Sequence, residues 1–261
     1  MMPESSYYQQ QYICRQKREK KFISFLRIFI LLLFLILWEI SARAGLIDSF
    51  IFSSPSEIWQ TFLRMVQDQS LFTHIGITLM ETLVSFAFTV FLGIGTAVLL
   101  WCCPKLSRIL EPYLVVLNSL PKSALAPLLI VWLGANVRTI IVAGISVAIF
   151  GSIINLYTGF READPEKLKL IGTKKDELTK IVLPSSVPLI LSVMKVNIGL
   201  CLVGVIIGEF IGARQGLGYL IIYGSQTFKL TWVLMSIVIL CVIAMGLYAI
   251  LNFIEKHAQK W

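Results

Sequence analysis

Charge is scarce in this chain: Asp, Glu, Lys and Arg make up 15% of its 261 residues, and 57% are hydrophobic. A soluble globular domain carries roughly a quarter charged residues, so this composition argues against a water-soluble fold. Histidine is nearly missing. His74 and His257 are the only two, far apart in sequence, which speaks against a histidine-based metal site or proton relay. The five cysteines contain no C-x-x-C pair, so neither a disulfide framework nor a zinc site is implied, and apolar packing is their expected role. No G-x-x-x-x-G-K-[ST] phosphate loop occurs, so the chain is not expected to be an ATPase itself. A nucleophile elbow is missing too, and no residue is assigned a catalytic role.

What is present is apolar length. Six stretches, about 22–42, 75–103, 109–133, 139–160, 187–211 and 231–254, each approach or exceed the roughly 20 residues that a helix needs to cross a bilayer. They predict an all-α polytopic membrane protein with six transmembrane helices. One domain, 22–254, is flanked by a basic tail, 1–21, expected to be poorly ordered, and a short tail, 255–261. The first stretch follows a polar N-terminus and lacks a small-x-small cleavage site, so it reads as a retained span rather than a signal peptide.

The net charge is +8, and its distribution explains it. Sixteen Lys and Arg residues fall before or, as Arg27, just inside the start of span 1, between spans 2 and 3, between spans 4 and 5, and after span 6; five fall on the opposite side. By the positive-inside rule both termini and the loop 162–183 face the cytoplasm, while 44–74 and 212–230 face outward. The basic residues thus serve orientation and lipid head-groups, and nucleic acid is not an expected partner.

Polar groups inside the spans are candidate sites because they are costly at membrane depth. Span 2 carries Glu81. Span 3 carries Pro112, Pro121 and Pro127 together with Asn118, Ser119, Lys122 and Ser123; its prolines predict a bent or broken helix, whose freed carbonyls need cover from protein or a water-filled cavity. Span 5 carries Lys195 and Glu209. Either these groups line a translocation pathway, or they are structural, with Glu81 or Glu209 paired to a lysine and Lys195 snorkelling. A lysine beside the pathway would suit an anionic solute without identifying it. Gly204, Gly208 and Gly212, continued by Gly216, repeat every four residues along span 5 and predict close helix packing, while the later glycines can instead serve the turn in GARQGLGYL. Before span 2, Ser54 or Ser56 and Pro55 predict the start of a short surface helix with Ile58, Phe62, Met65 and Val66 on one face.

The loop between spans 4 and 5 carries the most information. It is polar and Lys-rich, yet patterned as two helices. Asp164 and Pro165 suit a helix start, Gly172 a turn, and Thr173 to Asp176 a second start, with Pro184 limiting continuation. Leu168 and Ile171 share one apolar face; Leu178, Ile181 and Val182 share another. Glu166 is followed six residues later by Gly172, nine further by Ile181, and then by Leu183-Pro184. This spacing resembles the cytoplasmic EAA loop of ABC importer permeases, although Lys167 and Leu168 stand where that loop usually has two alanines. The segments FSSPSEIW, LPKSALAPLLIVWLG, NLYTGFREADPEKLKLIG, IVLPSSVP and GEFIGARQGLGYLI resemble the branch of that family serving nitrate, sulfonates, taurine, bicarbonate, thiamine precursors or riboflavin.

The resemblance implies a type I ABC importer permease fold with cytoplasmic coupling helices, in a bacterial inner membrane. Glu166, Leu168, Ile171, Gly172, Leu178, Ile181, Leu183 and Pro184 would dock an ATPase subunit. It also implies a second copy of the chain, two ATPase copies that hold the ATP and Mg, and an external or periplasmic substrate-binding protein. The solute would be small: an anion of the sulfonate, nitrate or taurine type, or a vitamin precursor. The alternatives are an ion-coupled secondary transporter, which would explain a broken span and buried charges, and a membrane scaffold that does not transport.

Overall fold

The computed structural model describes residues 4–162 and 177–258. Among the described residues every regular element is helical: α1 (Glu4–Arg43), α2 (Ser49–Phe52), α3 (Pro55–Gln67), α4 (Ser70–Cys102), α5 (Pro104–Ser119), α6 (Lys122–Leu133), α7 (Val137–Arg161), a π-helical turn (Leu178–Val182), α8 (Leu183–Gly212), α9 (Leu217–Gln226) and α10 (Leu230–Ala258). Five of these helical segments are long and apolar enough to cross a membrane, α8 together with its π turn, and the pair α5–α6 qualifies as a sixth crossing only when taken together. Compactness divides the chain into Met1–Thr61 and Phe62–Trp261.

The first unit opens with the N-terminal tail. From Glu4 it continues as one helix with span 1, because residues 4–21 contain neither Pro nor Gly to interrupt it. The apolar run from Phe22 to Phe34 is exposed, which suits a lipid-facing helix. Near the end of α1, the Glu39 carboxylate accepts from the Ser56 backbone N–H at 3.1 Å and from its hydroxyl at 2.9 Å. Ser54 caps α3, accepting from the Glu57 N–H at 3.3 Å, with Pro55 in the first helical position. In α3, Met65 is buried and Ile58, Phe62 and Val66 are half-buried, the face that the periodicity picks out.

In the second unit α4, α7 and α8 pack side by side as its centre, α5 and α6 lie along α7, and α9 and α10 complete the α8 side. The centre is built on small residues. A Cβ at Gly204 would stand 2.8 Å from the Ala143 carbonyl oxygen and from the Gly144 Cα, and one at Gly208 would stand 3.1 Å from the Ile140 Cα. The bare faces of α8 and α7 therefore meet at backbone distance. Gly212 meets Ile130 of α6 instead, at 3.0 Å for an added Cβ.

The break in span 3 falls at one proline of the three. Pro112 and Pro127 are accommodated inside α5 and α6. At Leu120-Pro121 the chain is extended and the two helices are bent by 96°. The residue before a proline is driven out of the helical region, and no further residue intervenes before α6 restarts at Lys122. Pro184, by contrast, does not limit the helix before it. The π turn runs directly into α8, with the Leu183 N–H bonded to the Leu178 carbonyl. The wider π turn makes room for a ring that would collide with the carbonyl four residues back.

Candidate functional site

The most connected polar cluster lies at the α9 end of α8. Helix α9 starts after Gly216, whose φ is +115°, and the first four N–H groups of any helix have no partner within it. Here side chains supply all four. His74 Nδ1 accepts from Gly216 at 3.0 Å, and Thr78 Oγ1 accepts from Leu217 at 2.8 Å. The Glu209 carboxylate accepts from Gly218 at 2.6 Å and from the Tyr219 N–H. Thr78 Oγ1 donates to Glu209 Oε1 at 2.6 Å. The Glu209 carboxyl group sits at the positive end of α9, where the helix dipole favours negative charge. Gly216 is required in both respects: its φ is left-handed, and an added Cβ would collide with the Glu209 carboxyl. Glu209, read from sequence as a pathway residue or a lysine's partner, is thus the cap that ties α4, α8 and α9 together.

Glu81 stands beside it. Both carboxylates are about 1% exposed, and they face each other within hydrogen-bond range. Among the described residues Glu81 has no lysine partner. Its Oε2 is the one buried side-chain oxygen among the described residues that lacks a hydrogen-bond donor. Glu81 also lines a cavity of about 240 Å³ together with Met80, Asn136, Ile140, Arg214 and Gln215.

The remaining polar candidates are dispersed. Lys122 Nζ donates to the Asn118 carbonyl across the α5–α6 break, and Ser119 Oγ to the Val115 carbonyl at 2.9 Å. The Lys122 bond satisfies a carbonyl freed at the end of α5, and Asn118, Ser119 and Ser123 are exposed. Lys195 is paired, but with Glu255 of α10 at 2.6 Å rather than with Glu81 or Glu209. Sequence reasoning missed Glu255 because it lies after the last apolar run, where acidic residues are unremarkable.

Of the loop residues, Glu166, Leu168, Ile171 and Gly172 lie outside the described residues. Leu178, Ile181, Leu183 and Pro184 form the π turn and the start of α8. Val182 is fully buried with Phe160, Leu156, Ala97 and Val193, and Leu178 and Leu183 pack against that cluster. Ile181 is half-buried and Pro184 exposed. The second apolar ridge is thus partly a root that seats the loop on α4 and α7.

A polar groove of about 430 Å³ also escaped sequence reasoning. It runs between α7 and α8, with Asn155, Thr158, Ser192 and Asn197 in its walls and Glu162 at the loop end. Asn197 Nδ2 donates to Ser152 Oγ at 2.9 Å. Neutral polar residues spaced through two apolar runs are a faint signal, but three of them (Asn155, Thr158 and Ser192) remain exposed.

Known proteins are similar to this chain in both sequence and fold. The family model for the binding-protein-dependent transport system inner membrane component matches residues 89–260. The chain is 27% identical to a probable ABC transporter permease protein of Haemophilus influenzae, over 87% of this chain and 93% of that one. It is 26% identical to the formylaminopyrimidine transport permease protein of Halalkalibacterium halodurans, with 88% and 93% covered. It is 24% identical to a putative aliphatic sulfonates transport permease protein of Bacillus subtilis, with 86% and 83% covered. In fold it is similar to a chain from inward-facing conformations of the MetNI methionine ABC transporter, at a TM-score of 0.64 and 19% identity, covering 74% of this chain and 97% of that one.

Proposed function

The chain belongs to the family of binding-protein-dependent transport system inner membrane components, and from that premise we propose how it works. It is the transmembrane permease subunit of an ATP-driven importer. Two copies pair around a translocation pathway. Each docks one ATPase subunit, which supplies ATP and Mg, through the loop 162–183, and a substrate-binding protein delivers solute to the opposite face. Six crossings, counting α5–α6 as one, return the chain to the side from which it started. The basic residues favour the cytoplasm of a bacterial inner membrane as that side. The pathway is formed by Glu81, Asn118 and the polar groove between α7 and α8.

The observation that carries the coupling role is the position of the Gly172…Ile181-x-Leu183-Pro184 pattern. It joins α7 to α8, two helices of the centre that meet at backbone distance. Force applied at such a joint reaches the whole centre, because closely packed helices shift as rigid elements rather than deform. An ion-coupled secondary transporter would account for the broken α5–α6 pair, but it leaves the family match and the loop pattern without a reason.

The test is co-purification with the ATPase subunit. Gly172→Asp and Leu168→Glu should insert normally and lose ATPase binding and uptake, whereas Lys174→Ala should be nearly silent. Retained ATPase binding in both of the first two would reduce the loop to an ordinary connection. Thiols introduced at Ser70 and Thr173 should label from opposite sides of the membrane; labelling from one side would overturn the orientation.

A further inference from the structure

The end of the centre nearest the loop 162–183 holds a pocket that shares no lining residue with the groove between α7 and α8. It has a volume of about 220 Å³, and Trp101, Ser107, Arg108, Glu111, Tyr157 and Arg161 line it. The last turn of α4, the first turns of α5 and the last turn of α7 meet there. Its floor is aromatic and fixed. Trp101 and Tyr157 are half-buried and pack against the cluster of Ala97, Leu156 and Phe160. Its rim is cationic. The Arg161 guanidinium stands over the Tyr157 ring, 5.7 Å from the centroid. Arg108 and Arg161 are exposed, and neither forms an ion pair or a side-chain hydrogen bond among the described residues. The orientation of the chain accounts for basic residues on this side of the membrane. It does not call for two arginines around one pocket with aromatic rings between them.

We propose that this pocket binds the head-group of an anionic phospholipid of the glycerol type, a phosphodiester with hydroxyl groups beyond it. A guanidinium matches phosphate oxygens with a rigid fork of donors, and two of them border this pocket. Cys103 caps α5 without a side-chain hydrogen bond, so the positive end of that helix adds to the attraction. A basic pocket between spans on the cytoplasmic side is suited to acidic head-groups. Trp and Tyr side chains settle at head-group level, where one end of the ring is apolar and the other wet. Leu99 on α4 and Ile109 on α5 are exposed close by in the chain. They offer apolar surface to acyl chains, which a free phosphate in water would not use. Glu111 sets the selectivity. Together with the two arginines it leaves the lining with one net positive charge, which a phosphodiester neutralises, and its carboxylate can accept from the hydroxyls of the head-group. The proposal needs only the membrane location of the family; the cytoplasmic orientation decides which leaflet supplies the lipid.

The experiment titrates the full chain in detergent with phosphatidylglycerol and counts bound lipid by native mass spectrometry, with phosphatidylcholine and soluble glycerol phosphate as comparisons. Phosphatidylglycerol should bind more tightly than phosphatidylcholine, and glycerol phosphate at the same concentration should not displace it. Arg108→Gln and Arg161→Gln should each weaken phosphatidylglycerol binding roughly tenfold, the loss of a hydrogen bond to a charged group, and leave phosphatidylcholine binding unchanged. Arg161→Lys should recover part of the loss. Arg138→Gln removes the same charge from the other end of α7 and should change nothing. Unchanged phosphatidylglycerol binding in the double Arg108→Gln, Arg161→Gln variant would overturn the proposal, as would equal binding of phosphatidylcholine. Displacement by glycerol phosphate as effective as by the lipid would show a phosphate site rather than a lipid site. If the arginine variants kept the lipid but lost co-purification with the ATPase, the pocket would be part of that dock, and the lipid assignment would fall. Should a variant fail to fold, the comparison of lipids on the unaltered chain still decides. The titration uses neither partner subunit nor solute, so its failure leaves the importer reading intact, and co-purification reads that assignment separately.

Discussion

The junction around Glu209 and the break around Lys122 are both places where polar groups interrupt apolar spans, and the chain resolves them in opposite ways. At the junction the bonds that bring α4 to α8 and α9 are long-range, and only those from Gly218 and Tyr219 to Glu209 are near in sequence. Thr78 reaches Glu209 across 131 positions of sequence, and His74 reaches Gly216 across 142. At the break every bond is local, from Ser119 and Lys122 to carbonyls four residues back. The first arrangement locks three helices together and is buried; the second caps one helix end and leaves its residues largely open. A polar residue in a membrane span is therefore not by itself a pathway residue. Where its bonds go determines whether it holds the fold or merely finishes a helix.

The comparison breaks most visibly at Glu209. Glu209→Leu would orphan the Gly218 and Tyr219 N–H groups and the Thr78 hydroxyl at once. Each buried group left unpaired costs about 1–3 kcal/mol, so we expect a loss on the order of 3 kcal/mol or more, seen as poor membrane accumulation and a lowered thermal midpoint in detergent. Near-normal stability would show that the junction does not hold the fold. Thr78→Val should follow, at roughly 1–3 kcal/mol, since it removes one donor to Glu209 and the acceptor for Leu217.

A third contrast lies along α8 itself. Gly204→Val would push a side chain into the α7 backbone and should cost about 1–3 kcal/mol as overpacking. An added Cβ at Gly199 meets nothing within 4 Å, so Gly199→Ala should be neutral or slightly stabilising in the same thermal assay. Equal effects at the two glycines would mean that helix propensity, not packing, sets the response.

Much of this architecture could be read from the sequence, for identifiable reasons. Apolar run length is a local property, so the spans stood out, and Ser54-Pro55 marked the start of α3 because capping is local too. Pro121 was distinguishable from Pro112 and Pro127 only in the structure, since a proline breaks a helix or is absorbed depending on what packs around it. Pro184 shows the same limit, because a preceding π turn leaves no sequence mark. The partners of Glu81, Lys195 and Glu209 were illegible because they lie on other helices. One hint was available: Gly216 and Gly218 follow Glu209 closely, and glycines at a helix start after an acidic residue suit a carboxylate brought against backbone N–H groups. Glu166 and Gly172 rest on the loop pattern alone.

The smallest expected effect sharpens the comparison from the other side. Lys122→Met removes a single side-chain donor to the Asn118 carbonyl, and Ser119→Ala removes the donor to Val115. Both bonds lie at an open helix end, where water or a neighbouring group can replace them, and the bend is already dictated by Pro121 acting on Leu120. Each variant should therefore shift thermal stability by no more than about 0.5 kcal/mol, and the double variant should be close to the sum, since neither side chain bonds the other. A much larger shift, or strong non-additivity, would mean that these side chains hold the 96° bend rather than decorate it. The break would then be an interlocked structure like the Glu209 junction, and the distinction between local and long-range satisfaction would lose its predictive value here.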